Sequence, residues 1–167
     1  MISKLLEQYA HAKEVERKNI ESEIWQMYGT KGAIAIWDMS DFTRITQEKG
    51  IVYFLALIEK MKNNCETIIH KHNGITVRLL ADDIFAKFDT LNDAVNCAID
   101  VRKWCNNQTD IEMSCGISYG EFLNIKDDDG NLLNVFGDPV NKAFRLGEDT
   151  ADNGQILIDT GEEIIRL

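Results

Sequence analysis

Apolar residues recur through the first 28 positions at mostly helical intervals: Leu5, Leu6, Tyr9, Ala12, Val15, Ile20, Ile24, Trp25 and Met27, with charged residues between them. That spacing gathers the apolar side chains on one side of a helix and predicts a single helix over 2–28. Gly29-Thr30-Lys31-Gly32 reads as the break that ends it. Ala33-Ile34-Ala35-Ile36-Trp37 is a short apolar run closing on Asp38, the pattern of a buried strand. Val52, Leu55, Ile58, Met61, Cys65, Ile68 and Ile69 form the stripe of a long helix over 48–72, closed by His72-Asn73-Gly74.

Ile75–Leu80 and Ile84–Phe88 flank Ala81-Asp82-Asp83 and predict a β-hairpin with a tight polar turn. Leu91, Ala94, Val95, Ala98, Ile99, Val101 and Trp104 predict an amphipathic helix over 90–106. Ile111–Ser118 alternates as a strand and runs into Tyr119-Gly120; Phe122–Ile125 and Leu132–Phe136 read as two further strands joined by a turn at 126–131. That turn, Lys-Asp-Asp-Asp-Gly-Asn, has its glycine too early for a calcium loop and no glutamate at the twelfth position. A helix over 137–151 and a strand over 154–158 complete the pattern. The order β-α-β-β-α-β followed by β, α and β predicts an α+β fold: a ferredoxin-like palm (βαββαβ core) with extra strands and a helix. The chain divides into an N-terminal helix at 1–29 and one domain at 30–167.

The net charge of −10 counts against binding to a nucleic-acid backbone or an anionic membrane surface, both of which need clustered Lys and Arg. An acidic protein that takes a polyphosphate needs metal ions to supply local positive charge, which directs attention to carboxylates. No apolar run approaches the roughly 18–20 residues of a membrane span, and residues 1–21 lack the apolar segment of a signal peptide, so the expected location is the cytoplasm. Cys65, Cys97, Cys105 and Cys115 form no paired motif and read as buried reduced thiols.

Asp38 ends the first apolar strand and Asp82 sits in the hairpin turn. In a palm these two places meet, and paired carboxylates there suit Mg²⁺ or Mn²⁺ with substrate phosphates. A helix cap at Asp38 and a plain turn residue at Asp82 fit the spacing equally well.

Trp37-Asp38-Met39-Ser40-Asp41-Phe42-Thr43, then Val77–Phe88, Cys115–Phe122, Val135–Leu146 and Gly154–Ile158 occur in one order over about residues 30–160. Together they resemble the class III adenylyl/guanylyl cyclase catalytic domain in its small stand-alone bacterial form. The resemblance implies a nucleotidyl cyclase that turns a nucleoside triphosphate into a 3′,5′-cyclic mononucleotide and pyrophosphate, with two Mg²⁺ or Mn²⁺ ions. It places Asp38 and Asp82, with Met39 beside the first, at the metal. Ser40, Asp41, Phe42 and Thr43 fall on the loop whose amides hold the triphosphate at a helix start. Asn141 falls on the residue that orients the ribose, and Arg145, one turn later, on the residue that stabilises the reacting phosphate. Arg78 and Asn134 fall on the base-reading positions. The family's site forms between two chains, which implies a homodimer in which one chain supplies Asp38 and Asp82 and the other Asn141 and Arg145.

The sequence departs from the family at several places. Asp41 replaces the usual glycine and Ala81 another. Adenylyl cyclases usually carry lysine and aspartate where Arg78 and Asn134 stand, so ATP and UTP both remain open as substrates, with GTP third. The short form is also similar to bacterial cyclases of the Pycsar antiphage systems, which make cyclic pyrimidine nucleotides read by a separate effector. The family's lysine for the β- and γ-phosphates has no match here, while Arg44 and Lys49 stand near the phosphate loop. A catalytically silent, nucleotide-binding regulatory domain is the alternative from a different functional class.

Overall fold

The computed structural model describes residues 2–39, 42–80, 83–109, 111–127 and 129–167. Its elements are α1 (Ile2–His11), α2 (Glu14–Tyr28), β1 (Gly29–Met39), α3 (Phe42–Lys49), α4 (Ile51–Lys71), β2 (Ile75–Leu80), β3 (Asp83–Phe88), α5 (Leu91–Gln108), β4 (Met113–Lys126), β5 (Leu132–Phe136), α6 (Asp138–Phe144), a π-helical segment (Arg145–Thr150), β6 (Ile156–Asp159) and β7 (Ile164–Arg166). One sheet runs in the order β2-β3-β1-β4-β6-β7, with β5 paired to β4. The run β2-β3-β1-β4 follows the ferredoxin-like order expected from the sequence. β1 lies antiparallel between β3 and β4, and β6 joins β4 in parallel.

The sheet has two apolar faces. Ala33, Ala35, Trp37 and Met39 of β1 enter the larger core, with Phe54, Ile58, Met61, Cys65 and Ile69 of α4 and Ala94, Cys97, Ala98 and Val101 of α5. Ile34 and Ile36 point the other way, to Phe85, Phe122, Val135 and, on α6, Val140 and Ala143. The period of two along β1 therefore assigns alternate residues to two separate clusters. All four cysteines are buried in the larger one, as free thiols.

Several boundaries differ from the sequence expectation. The N-terminal segment is two helices: Glu16 accepts from the Lys13 main-chain N–H to start α2, and the Arg17 side chain donates to the Tyr9 and Ala10 carbonyls at the end of α1. Gly29 and Gly32 lie inside β1 because a Cβ there would meet the Trp25 and Phe88 carbonyl oxygens at 2.4 Å. The helix expected over 48–72 begins only at Ile51, because Gly50, at φ 86°, separates it from a further short helix, α3, that precedes it. β4 is one strand of 14 residues that passes straight through Tyr119-Gly120. The helix expected over 137–151 becomes a short α6 and a π-helical segment, and β7 had no sequence signal.

Candidate active site

Asp38 stands one residue from the end of β1, and by alternation it shares the sheet face of Ile34 and Ile36. Its register partners are Asp83 on β3 and Ser114 on β4. Asp83 shares the face of Phe85 by the same alternation, so two carboxylate residues oppose one another across neighbouring strands. Like charges so placed repel, and a cation between them offsets that repulsion. Hard carboxylate oxygens of this kind suit Mg²⁺ or Mn²⁺. Among the described residues no group of three or more His, Cys, Asp or Glu could hold a metal. Asp82 lies outside the described residues, as do Ser40 and Asp41 of the phosphate loop. The Met39 side chain is buried in the larger core, which leaves only its main chain available to a ligand. Phe42 opens α3 and Thr43 is exposed in its first turn. Arg44 pairs with Glu48 at 3.2 Å, and the Lys49 ammonium lies 4.9 Å from the centroid of the Tyr53 ring.

Arg78 occupies a different part of the same face. A β-bulge between Thr76 and Arg78 lets Val77 pack on the smaller core while Arg78 also reaches over it. The Arg78 guanidinium lies 5.9 Å from the Phe85 ring centroid and 5.6 Å from that of Phe144. Those two rings meet edge to face at 5.7 Å, and both contacts to Arg78 fall within cation–π range. Asn134 lies on β5, which packs near β2 as well as pairing with β4. Its Oδ1 accepts the main-chain N–H of Val135 at 2.9 Å.

Asn141 and Arg145 are both exposed, one turn apart, and the Arg145 N–H donates to the Asn141 carbonyl. Two glycines seat their helix. A Cβ on Gly116 would lie 2.1 Å from the Ala143 carbonyl oxygen and 2.4 Å from the Gly147 nitrogen; one on Gly120 would lie 2.7 Å from Pro139 Cγ. Bare backbone at two same-face positions of β4 thus lets α6 lie directly on the sheet. Buried Ser114, the register partner of Asp38, donates its hydroxyl to the Gly147 carbonyl at 2.8 Å. Lys142 bridges Asp138 at 2.9 Å and Asp159 at 3.6 Å, and these carboxylates, Asp138 first, hold its pKa above the usual lysine value.

The structure joins Asn141 to Arg145, and joins Arg78, through Phe144, to the segment that begins at Arg145. Arg145 lines a cavity of about 260 Å³ with Lys142, Leu146, Thr150, Asp159 and Ile164. Asp159 belongs to β6, two strands or roughly 10 Å across the sheet from β1. Asp38 faces β3 on the other side. Sequence reasoning missed Asp83, Phe85, Phe144 and Ser114. Strict alternation with a two-residue hairpin connection would have indicated Asp83; the others have no local signal.

No family model matches the chain. A curated adenylate cyclase of Streptomyces coelicolor is 27% identical over 144 residues, covering 84% of this chain and 36% of that protein; the chain spans about a third of that relative's length. Among solved structures, the guanylyl cyclase domain of the RhoGC fusion protein from the fungus Blastocladiella emersonii superposes with a TM-score of 0.69 at 20% identity, covering 78% of this chain and 80% of that one. The guanylate cyclase domain of RhGC from Catenaria anguillulae, solved with GTP, gives 0.67 at 20%, covering 78% and 79%. The adenylyl cyclase CyaB of P. aeruginosa gives 0.63 at 22%, covering 80% and 79%.

Proposed function

We propose that this chain, which adopts the fold of a class III nucleotidyl cyclase catalytic domain, converts a nucleoside triphosphate into a 3′,5′-cyclic mononucleotide and pyrophosphate. The observation that carries the reading is the division of one sheet face. Asp38 and Asp83 oppose each other beside the connection bearing Asp82, while the exposed Asn141–Arg145 pair rides a helix that reaches toward β6 and β7. A head-to-tail homodimer brings the first half of one chain against the second half of its partner, giving two equivalent sites.

Asp38 and Asp82 hold the metal ions, with Asp83 adding negative charge beside them. Two bound Mg²⁺ or Mn²⁺ ions supply charge neutralisation on the triphosphate and lower the pKa of the ribose 3′-hydroxyl. Thr43 and the start of α3 receive phosphate oxygens. Asn141 from the partner orients the ribose so that its 3′-oxygen lies in line with the α-phosphorus. A bond forms between those atoms as the bond from the α-phosphorus to the bridging oxygen breaks. Pyrophosphate departs, and the 3′-hydroxyl proton passes to solvent. Arg145 donates to the α-phosphate oxygens as charge grows there, a contribution of about 10²–10³ in rate. The Arg78–Asn134 side of the same half-site receives the base, and the released cyclic nucleotide acts on a separate effector.

The test is incubation of the chain with Mn²⁺ and each of ATP, GTP, CTP and UTP, with products resolved by mass and Asp38→Ala as control. A cyclic product that the variant fails to make supports the reading. Triphosphate binding without any cyclic product refutes catalysis and leaves a regulatory nucleotide-binding domain.

A further inference from the structure

We infer that Ser114 is a positioning residue that sets where Arg145 stands, by tying the segment that begins at Arg145 to the strand end that carries Asp38. The inference rests on the reading of Asp38 and Arg145 as parts of a cyclase site.

Ser114 lies on β4 directly opposite Asp38. The next residue, Cys115, donates its main-chain N–H to the Gln155 carbonyl, away from β1, and main-chain groups alternate sides along a strand. The main-chain N–H and C=O of Ser114 therefore face β1 and Asp38. Its side chain leaves the sheet on the face it shares with Gly116, where α6 and the π-helical segment lie. There the buried hydroxyl donates to the Gly147 carbonyl at 2.8 Å. The Asp38 carbonyl is a second acceptor at 3.5 Å. A hydroxyl has one proton to give, and the shorter contact holds it. One residue thus grips Asp38 with its backbone and Gly147 with its side chain.

The Gly147 carbonyl has no donor within its own helix. In the π-helical segment the Ala151 N–H donates to the Leu146 carbonyl at 2.8 Å, and the next bond of that series would run from Asp152 to Gly147. The Asp152 N–H goes instead to the Gln155 side chain at 3.1 Å. Gly147 also packs backbone to backbone: a Cβ there would lie 3.0 Å from the Ile36 carbonyl oxygen and 3.1 Å from the Gly116 nitrogen. Without the serine hydroxyl this carbonyl is left with no donor among the described residues, and the segment relaxes by turning it toward water. That turn carries Arg145, two residues earlier, away from its place. Ser114 touches neither metal nor nucleotide, so it acts only through the residues it holds. In a head-to-tail dimer Asp38 and Arg145 of one chain serve different sites, and the tie then connects the two.

The experiment compares the full chain with Ser114→Ala, Arg145→Ala and the double variant, using Mn²⁺ and the triphosphate that the parent turns over fastest. Ser114→Ala is expected to lower kcat about tenfold and to leave KM nearly unchanged. Added to Arg145→Ala, it is expected to cost nothing more in rate, because the group it positions is already gone. A merely structural serine would lower the melting temperature and reduce activity equally in both backgrounds. An unchanged kcat, a rise in KM alone, or an equal loss in both backgrounds overturns the inference. Should the parent form no cyclic product, the cyclase reading fails on its own, and amide hydrogen exchange of residues 146–151 decides this inference. Millimolar Mn²⁺ alone is then expected to slow that exchange about threefold in the parent and to leave it unchanged in Ser114→Ala. No response in the parent, or the same response in both chains, overturns the tie.

Discussion

Gly116→Ala probes how α6 is seated on the sheet. The added methyl would fall 2.1 Å from the Ala143 carbonyl oxygen, 2.4 Å from the Gly147 nitrogen and 2.8 Å from Leu146 Cβ, where ordinary contact begins near 3.4 Å. Two of the three obstacles are backbone, so no side-chain rotation relieves the clash, and α6 with its π-helical continuation must lift from β4 by roughly 1 Å. Overpacking of this kind costs about 3 kcal/mol. In a domain of this size each kcal/mol lowers the melting temperature by about 2–4 °C, so the variant should melt about 6–12 °C below the parent. The same displacement moves Asn141 and Arg145. A misplacement of about 1 Å at a reacting centre costs on the order of 10² in rate. Thermal unfolding followed by circular dichroism reads the first effect, and cyclic-product formation below both melting temperatures reads the second. An unchanged melting temperature would refute the close seating of α6 on β4. A destabilised variant with full turnover would refute the claim that this seat positions Arg145.

Two further expectations concern parts of the molecule away from the site. His72 and Lys71 at the end of α4 reach Asp100 of α5 at 2.9 and 3.2 Å, and hydrogen bonds from His72 first and Lys71 second hold the Asp100 carboxyl below its ordinary pKa of 3.8. A carboxyl lowered on folding stabilises the chain above its unfolded pKa and loses that contribution as pH falls through its folded pKa. Asp100→Asn should therefore lower the urea midpoint at pH 6, and the deficit should shrink as pH is brought progressively below 3.8; a deficit that does not change with pH would refute the ion-pair account. Burial raises the thiol pKa of Cys97 and Cys105 to about 12 and pushes Cys65 and Cys115 up as well, so a thiol reagent at pH 8 should label all four only after unfolding. Fast labelling of the native chain would show that the larger core opens.

Much of the fold was legible because its signals are local. The stripe from Val52 to Ile69, the apolar run ending at Asp38 and the two short runs around Ala81-Asp82 each carry their periodicity within one element, and each became the expected element. Glycines misled for a physical reason. Gly29, Gly32 and Gly120 were read as punctuation, yet they sit within strands because Trp25, Phe88 and Pro139 press on the backbone there, and a pressing neighbour leaves no mark in the adjacent sequence. The division of the N-terminal segment depends on Glu16 and Arg17 hydrogen bonds that apolar spacing does not register.

At the candidate site the residue types came from the resemblance, while Ser40, Asp41 and Asp82 lie outside the described residues. By itself the sequence determined the βαββαβ order of the central elements, the apolar run of β1 and the presence of carboxylates, an arginine and amides at suggestive places. Only the tertiary structure decided that Asp83 opposes Asp38, that α6 rests on Gly116 and Gly120, that Asn134 spends its oxygen on Val135, and that Arg78 lies over Phe85 and Phe144. Periodicity is written in neighbouring residues and needs no partner, whereas strand register, a bulge and a ring seated under a guanidinium depend on segments distant in the chain, and they take form only when those segments pack together.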